Sequence, residues 1–172
     1  MYERVENYVY NGHVADFYND VEDFEDNKKK LFQSIIGKPV KDFWMSWYTG
    51  AFDVKDTITE VGIEMEDGRK FVLMGRYHDC FSFDEFLIDY DFSTGKNSKG
   101  EEIRKQYPWR KALTMKPSVI EDIKPLFSTS ENDECNFLGV EILTKIQRMT
   151  IKNRFEALDV KVELLSKKND DE

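Results

Sequence analysis

The sequence predicts an α+β domain with a largely antiparallel sheet and a packed, amphipathic N-terminal helix. Three observations support this: a hairpin pattern in residues 57–74, a strand pair near the C-terminus, and a helical apolar period that begins at His13. Aromatic residues make up 14% of a chain that is 34% charged, and so many aromatic side chains favour strands over a helical bundle.

The helical period comes first in the chain. Apolar residues recur at helical spacing with acids opposite them, at Val14, Phe17, Tyr18, Val21 and Phe24. Asp26-Asn27 is a candidate break, after which the apolar stripe resumes at Leu31. Gly37, a natural residue for a helix end, and Pro39 then stop it. Residues 1–12 lack a clean period and are predicted to form an arm or a short element.

The next two elements are predicted strands. Residues 40–48 are apolar at both odd and even positions, which is typical of a central strand buried on both faces. Residues 57–74 alternate around Asp67-Gly68, which suits a two-residue type I′ turn. In that register Ile63 faces Val72 and Val61 faces Met74. Phe71 and Leu73 then lie on a mixed second face that a single helix would cover.

The middle of the chain is less regular. Residues 82–92 alternate like a strand, but Ser82 and Glu85 also form a capping box that suits a helix; the strand is favoured. Residues 93–100 are polar and rich in glycine, which predicts a mobile surface loop. Residues 103–113 are predicted to be irregular.

The last third contains a predicted short helix and two strands. Pro117 and Pro125 would confine a helix of roughly two turns, begun by a capping box of Ser118 and Glu121. The polar composition of residues 128–136 predicts a loop. Residues 138–146 and 158–164 alternate as strands, with a turn predicted at residues 152–154.

The chain length of 172 residues suits a single domain with a charged tail at residues 167–172. A weak internal similarity links Ile36-Gly37-x-x-Val40 with Leu138-Gly139-x-x-Ile142, each followed by an alternating strand. Duplication of a strand-pair unit, with halves at about 36–92 and 117–166, explains it, and so does chance.

The net charge of −9 disfavours direct contact with nucleic-acid phosphates. A negative net charge commonly serves solubility alone. The functional alternative is that the acidic residues bind a basic protein partner. The candidate partner-binding residues are the acids of the predicted helix: Asp16, Asp20, Glu22 and Asp23.

The chain has two cysteines and lacks both a signal-peptide pattern and an apolar run long enough to span a membrane. These features predict a soluble, cytoplasmic protein with free thiols and no membrane contact.

No sequence motif points to catalysis, to a metal or to a cofactor, and none of the three is predicted. Tyr77-His78-Asp79-Cys80 resembles a thiol nucleophile beside a base only in composition, because neighbouring positions on an extended chain do not aim the side chains at each other. Asp89-x-Asp91 and the acids of residues 131–134 are typical of solvated surface carboxylates.

An aromatic-lined pocket is the alternative binding site. Its candidate residues are Trp44, Trp47, Tyr48, Arg76, Tyr107 and Trp109. The sequence therefore favours a small acidic binding protein, of the inhibitor or immunity type, that blocks a basic partner surface. The alternative is a protein that binds or sequesters a small, possibly nucleotide-like molecule; a hydrolase of unrecognised type comes third.

Overall fold

The computed structural model describes residues 9–10, 13–48, 57–76, 80–86, 94–96, 102–104, 109–129, 136–154 and 157–165. These residues form one helix, α1 (Val21–Ile35), and thirteen strands. The strands are β1 (Val9–Tyr10), β2 (His13–Val14), β3 (Val40–Tyr48), β4 (Thr57–Met65), β5 (Lys70–Arg76), β6 (Cys80–Glu85), β7 (Thr94–Lys96), β8 (Glu102–Arg104), β9 (Trp109–Lys111), β10 (Ile120–Thr129), β11 (Asn136–Thr144), β12 (Gln147–Arg154) and β13 (Ala157–Leu164).

Two antiparallel sheets dominate the fold. A five-stranded sheet has the order β6-β5-β4-β3-β9, and a four-stranded sheet has the order β10-β11-β12-β13. Two further strand pairs, β1-β2 and β7-β8, complete the pairing. The predicted α+β class, with a largely antiparallel sheet and a packed helix near the N-terminus, is confirmed.

Both sheets and the helix share one apolar core, which we call the inner cluster. Its members include Phe24 and Phe32 of α1, Ile63 and Phe71 of the five-stranded sheet, and Ile151 of the four-stranded sheet. The Phe24 ring makes edge contacts with Phe32 and Phe81, at centroid distances of 5.8 and 5.7 Å. The helix therefore closes the core by aromatic packing on the strands beneath it.

The second face of the five-stranded sheet carries a smaller apolar group, the outer cluster. It consists of Ala15, Trp44, Val72, Met74, Phe86 and Trp109, with Phe17 packed against it. Strand β3 sends Phe43 and Met45 to the inner cluster and Trp44 to the outer one, so it is buried on both faces as predicted.

The hairpin of β4 and β5 exists, but its predicted register is wrong by one residue. Its loop holds three residues, 66–68, because the Gly68 N–H donates to the Met65 carbonyl at 3.0 Å and the Met65 N–H to the Arg69 carbonyl at 2.8 Å. Gly68 has a φ of 93°, as a bulged three-residue loop requires. Ile63 therefore pairs with Phe71, and both side chains enter the inner cluster.

The helix begins later than the apolar period predicts. His13 and Val14 lie in β2, and Tyr18 forms an isolated bridge with Phe81 through two backbone hydrogen bonds of 2.9 Å. The helix starts only after Asp20, and Asp26-Asn27 does not interrupt it. The helix ends just before Gly37, whose φ is 88°.

The short helix predicted between Pro117 and Pro125 is wrong, since most of that segment is β10. Pro125 is tolerated there because β10 is an edge strand, where the missing N–H is not needed by a second neighbour. A register shift between Ile120 and Asp122 marks a bulge in the pairing with β11.

Other segments also differ from prediction. Residues 152–154 are part of β12, a whole strand that the sequence analysis missed, and not a turn. Residues 102–104 and 109–111 are strands where irregular chain was predicted, and residues 94–96 are a strand within the predicted loop. The strand favoured within residues 82–92 runs only to Glu85, and residues 87–92 lie outside the described part.

The two sheets are joined at one corner by backbone hydrogen bonds. The Gly37 N–H donates to the Ile120 carbonyl at 2.7 Å, the Ile120 N–H to the Lys38 carbonyl at 3.1 Å, and the Val40 N–H to the Ser118 carbonyl at 3.1 Å. A second contact lies further along the sheets, where the buried Asn153 side chain donates to the Cys80 carbonyl at 2.7 Å.

Gly37 precedes β3, whereas Gly139 lies inside β11, and the suggested internal duplication stays a prediction. Among the described residues, no helix is long and apolar enough to cross a membrane.

Candidate functional site

The start of α1 presents a concentration of exposed carboxylates. Asp20 caps the helix, accepting a hydrogen bond from the Asp23 N–H at 3.0 Å, and Glu22 and Asp23 occupy the first turn. Acids at these positions are favoured by the positive end of the helix dipole. Six exposed acids lie within residues 16–26, and we call them the acidic surface: Asp16, Asp20, Glu22, Asp23, Glu25 and Asp26.

An almost buried ion pair lies beside the acidic surface. Lys28 Nζ is 2.7 Å from Asp84 Oδ1, and the two side chains are only 11% and 13% exposed. Burial raises the pKa of the Asp84 carboxyl, while the charge and hydrogen bond of Lys28 oppose that rise. Lys28 is thus paired with a carboxylate of β6 and does not neutralise the six exposed acids.

Asp16 is attached to this ion pair. Its N–H donates to Asp84 Oδ2 at 2.9 Å, and its carboxylate accepts from the Tyr18 hydroxyl at 2.6 Å. Burial, followed by the hydrogen bond and charge of Asp16, raises the pKa of Tyr18 well above its ordinary value. Lys28 Nζ also lies 5.5 Å from the centre of the Tyr18 ring, a cation–π distance. Tyr18, Lys28 and Asp84 therefore hold the chain that leads into the helix.

The four predicted partner-binding residues are brought together, but not on one helix. Asp20, Glu22 and Asp23 lie at the helix start, whereas Asp16 lies in the extended segment before it. Its predicted helical position is wrong because the segment pairs with β6 through Tyr18. All four side chains are exposed.

Sequence analysis missed Lys28, Tyr18 and Asp84 as organising residues. Lys28 was recognisable, since it falls midway between Phe24 and Phe32 at a spacing of four residues, on the buried stripe of the helix. A lysine on that stripe needs a buried acid as partner. Nothing near Asp84 in the sequence marks it as that acid.

The alternative aromatic site is described only in part. Trp44 and Trp109 both belong to the outer cluster. Trp47, Tyr48 and Arg76 lie on β3 and β5, but their side chains are outside the described part, as is all of Tyr107. The set as a whole stays a prediction.

The described residues offer little for catalysis or metal binding. No group of three or more His, Cys, Asp and Glu among them is arranged to hold a metal ion. Cys80 is buried, and its predicted neighbours Tyr77, His78 and Asp79 lie outside the described part, as do Asp89, Asp91 and residues 131–134.

Comparison with known proteins gives no match: no family model, no curated protein and no solved structure resembles this chain closely enough to be identified with it.

Proposed function

We propose that this protein is a small acidic binding protein, of the inhibitor or immunity type, whose acidic surface covers a basic surface on a protein partner in the cytoplasm. The observation that supports the proposal is the acidic surface itself, with six exposed carboxylates inside eleven residues of chain. The nearest buried cation, Lys28, is already paired with Asp84.

The order of charges along α1 favours one orientation of an approaching partner. The six acids run from Asp16, before the helix, to Asp26 in its second turn, and the exposed Lys29 and Lys30 follow. Charges within a Debye length of about 8–10 Å act together on an approaching protein. A partner with clustered Lys and Arg would therefore be attracted to the helix start, and its own acids would be favoured toward Lys29 and Lys30.

The surface is also held in place before any partner arrives. The Asp20 carboxylate is held by its capping bond and the Asp16 carboxylate by the Tyr18 hydroxyl, so both lose less freedom on binding than unrestrained side chains would. Preorganisation of this kind lowers the entropic cost of association.

The test is capture of a partner by the tagged protein in a lysate of its own host, followed by association kinetics at low and high salt. The test variant is Glu22→Lys with Asp26→Lys, which lie four residues apart on one helix face and leave the Asp20 cap intact. We expect its association rate at low salt to fall at least about tenfold, with the difference shrinking as salt screens the charges.

The matched control is Glu66→Lys with Glu121→Lys, two exposed acids on the β4-β5 loop and on β10. It changes the net charge by the same amount away from the acidic surface, so we expect a much smaller effect. Equal losses in both variants would show that only net charge matters. An unchanged rate in the test variant would remove the helix start from the interface.

A further inference from the structure

The aromatic side chain of Phe127 is half-exposed near one end of β10. Phe127 lies directly opposite Leu138 of β11, and it points to the same face as Ile123, which enters the inner cluster. Ile123 is only 5% exposed, whereas Phe127 keeps 47% of its surface in solvent. Phe127 is therefore an apolar side chain on the inner face that the core leaves open to solvent.

Phe127 shares this end of the fold with the chain that leads into α1. The register of β11 with β12 continues its row to Asn153, whose side chain donates to the Cys80 carbonyl at 2.7 Å. Cys80 precedes Phe81, which is bridged to Tyr18. Tyr18 lies two residues before the helix cap, so the acidic surface begins at the same end as Phe127.

The far end of α1 is fixed to the far end of β10. The Gly37 N–H, just past the helix, donates to the carbonyl of Ile120, the first residue of β10, at 2.7 Å. α1 therefore packs along β10 in the opposite direction, with its first turn toward Phe127. Neighbouring strands lie about 5 Å apart and packed layers about 10 Å apart, so the Phe127 ring is within about 15 Å of that turn.

The edge of β10 adds backbone acceptors beside the ring. Pro125 has no N–H, yet its pairing with Val140 continues without a break, so the Pro125 nitrogen faces away from β11. The carbonyls of Ile123, Pro125 and Phe127 face the same free edge. Within the described part of the chain, no hydrogen bond reaches these carbonyls from that side. An added strand would lack a donor at Pro125, but a group that only donates would not need one.

We propose that this edge of β10, with Phe127 as its apolar anchor, binds an arginine side chain of the basic partner. A guanidinium group has five N–H donors and no acceptor, and its flat face stacks on aromatic rings. It would stack on Phe127, donate to the carbonyl of Pro125 and lie near the carboxylates of the acidic surface. The ammonium group of lysine has no flat face and fits less well. The inference rests on the proposed function, because the acidic surface attracts the partner to this end of the fold.

The probes are fluorescein-labelled hexaarginine and hexalysine, which have equal length and equal charge. Binding is measured by fluorescence anisotropy at about 0.15 M salt, where the Debye length is about 8 Å. We expect hexaarginine to bind at least about fivefold more tightly, since only the guanidinium group both stacks and donates through its planar fork. A hexapeptide of dimethylarginine keeps the charge but loses donors, so its affinity should lie between the two.

Phe127→Leu tests the anchor. Leucine keeps an apolar side chain at this position but removes the aromatic face, so the preference for arginine should fall below about twofold while hexalysine binding changes little. Leu113→Ala is the control: Leu113 is 89% exposed and follows β9, at the opposite edge of the five-stranded sheet from β6, so neither affinity should change. Both variants are first compared with the wild type by circular dichroism.

Equal affinities of the wild type for hexaarginine and hexalysine would overturn the proposal, and so would a preference for arginine that survives Phe127→Leu. If Phe127→Leu does not fold, the wild-type comparison decides alone.

The arginine site and the acidic surface can fail separately. The variant Glu22→Lys with Asp26→Lys should weaken both peptides. If it does so while the wild type binds both peptides equally, the acidic surface is supported and the arginine site is rejected. If that variant binds both peptides as the wild type does, and the arginine preference still depends on Phe127, the arginine site is supported and the acidic surface is not.

Discussion

Replacing Lys28 by Met tests the role of the buried ion pair. Methionine keeps most of the apolar stem that packs between Phe24 and Phe32, but it leaves Asp84 without its cation. Breaking a fully buried pair costs about 3–5 kcal/mol. Asp84 keeps the Asp16 N–H and some access to water, so we expect a loss of about 2–3 kcal/mol in the free energy of unfolding at pH 7.

This loss should depend on pH in one direction. Burial already raises the pKa of Asp84, and Lys28 opposes the rise, so removing Lys28 raises it further. A carboxyl group with a raised folded-state pKa adds stability below its unfolded pKa, and that contribution is lost as pH increases through the folded pKa. The deficit of Lys28→Met should therefore be full at neutral pH and shrink as pH falls toward the ordinary aspartate value of about 4.

The assay is urea unfolding followed by circular dichroism at several pH values. Lys29→Met is the control, because Lys29 is an exposed neighbour on the same helix and its loss should cost no more than about 0.5 kcal/mol. Adding Asp84→Asn to Lys28→Met should restore much of the stability by removing the orphaned charge. A deficit no larger than that of Lys29→Met, or one that stays constant with pH, would refute the reasoning.

Two glycine substitutions test the backbone geometry. Gly68→Val should lower the free energy of unfolding by about 1–3 kcal/mol, because the φ of 93° is strained for a β-branched residue. Gly68→Asn should cost less, since asparagine tolerates positive φ better. Equal melting temperatures for the wild type and both variants would contradict this loop geometry. Gly75→Ala should cost about 2 kcal/mol or more, since its Cβ would lie 2.8 Å from the Ala157 carbonyl and from Asn153 Oδ1. Thermal unfolding that matches wild type would show that the sheets separate easily at this contact.

The helix start shows where apolar periodicity fails as a guide. Val14, Phe17 and Tyr18 continue the helical spacing backwards, but Tyr18 finds backbone partners on Phe81 and Phe17 packs on the outer cluster. Tertiary pairing thus overrides the local period. The cap at Asp20 was the better local signal for the boundary, because its side chain satisfies the otherwise unpaired Asp23 N–H.

The β10 error has a geometric cause. A bulge inserts one residue into the strand, so Ile120 and Ile123 both enter the inner cluster although they are three positions apart. Three is also the spacing of one helix face, and the two structures cannot be told apart by that spacing alone.

Strand β12 was missed because polar residues take inward positions in it. Its inward positions are Gln147, Met149, Ile151 and Asn153, all fully buried. Only the two central ones are apolar, and Asn153 is a residue type that favours turns. The Asn153 contact with Cys80 links residues 73 positions apart, and no local pattern could reveal it.

The exposed charges of the candidate site could be predicted from the sequence, but the Lys28–Asp84 ion pair beside them could not. The exposed acids are visible in the sequence, and so is Lys28 on the buried stripe. The pairing of Lys28 with Asp84 depends on docking of the helix against β6, which lies 56 residues further along the chain.

The hydrogen-bonded corner between residues 37–40 and 118–120 bears on when the protein can fold during synthesis. The paired segments are roughly 80 residues apart, so their association carries the entropic cost of closing a long loop. While the ribosome is still making β11 to β13, the inner side of β3 to β6 has no second sheet to cover it. Side chains of the inner cluster that α1 does not cover would then be available to chaperones on the nascent chain until the last strands emerge.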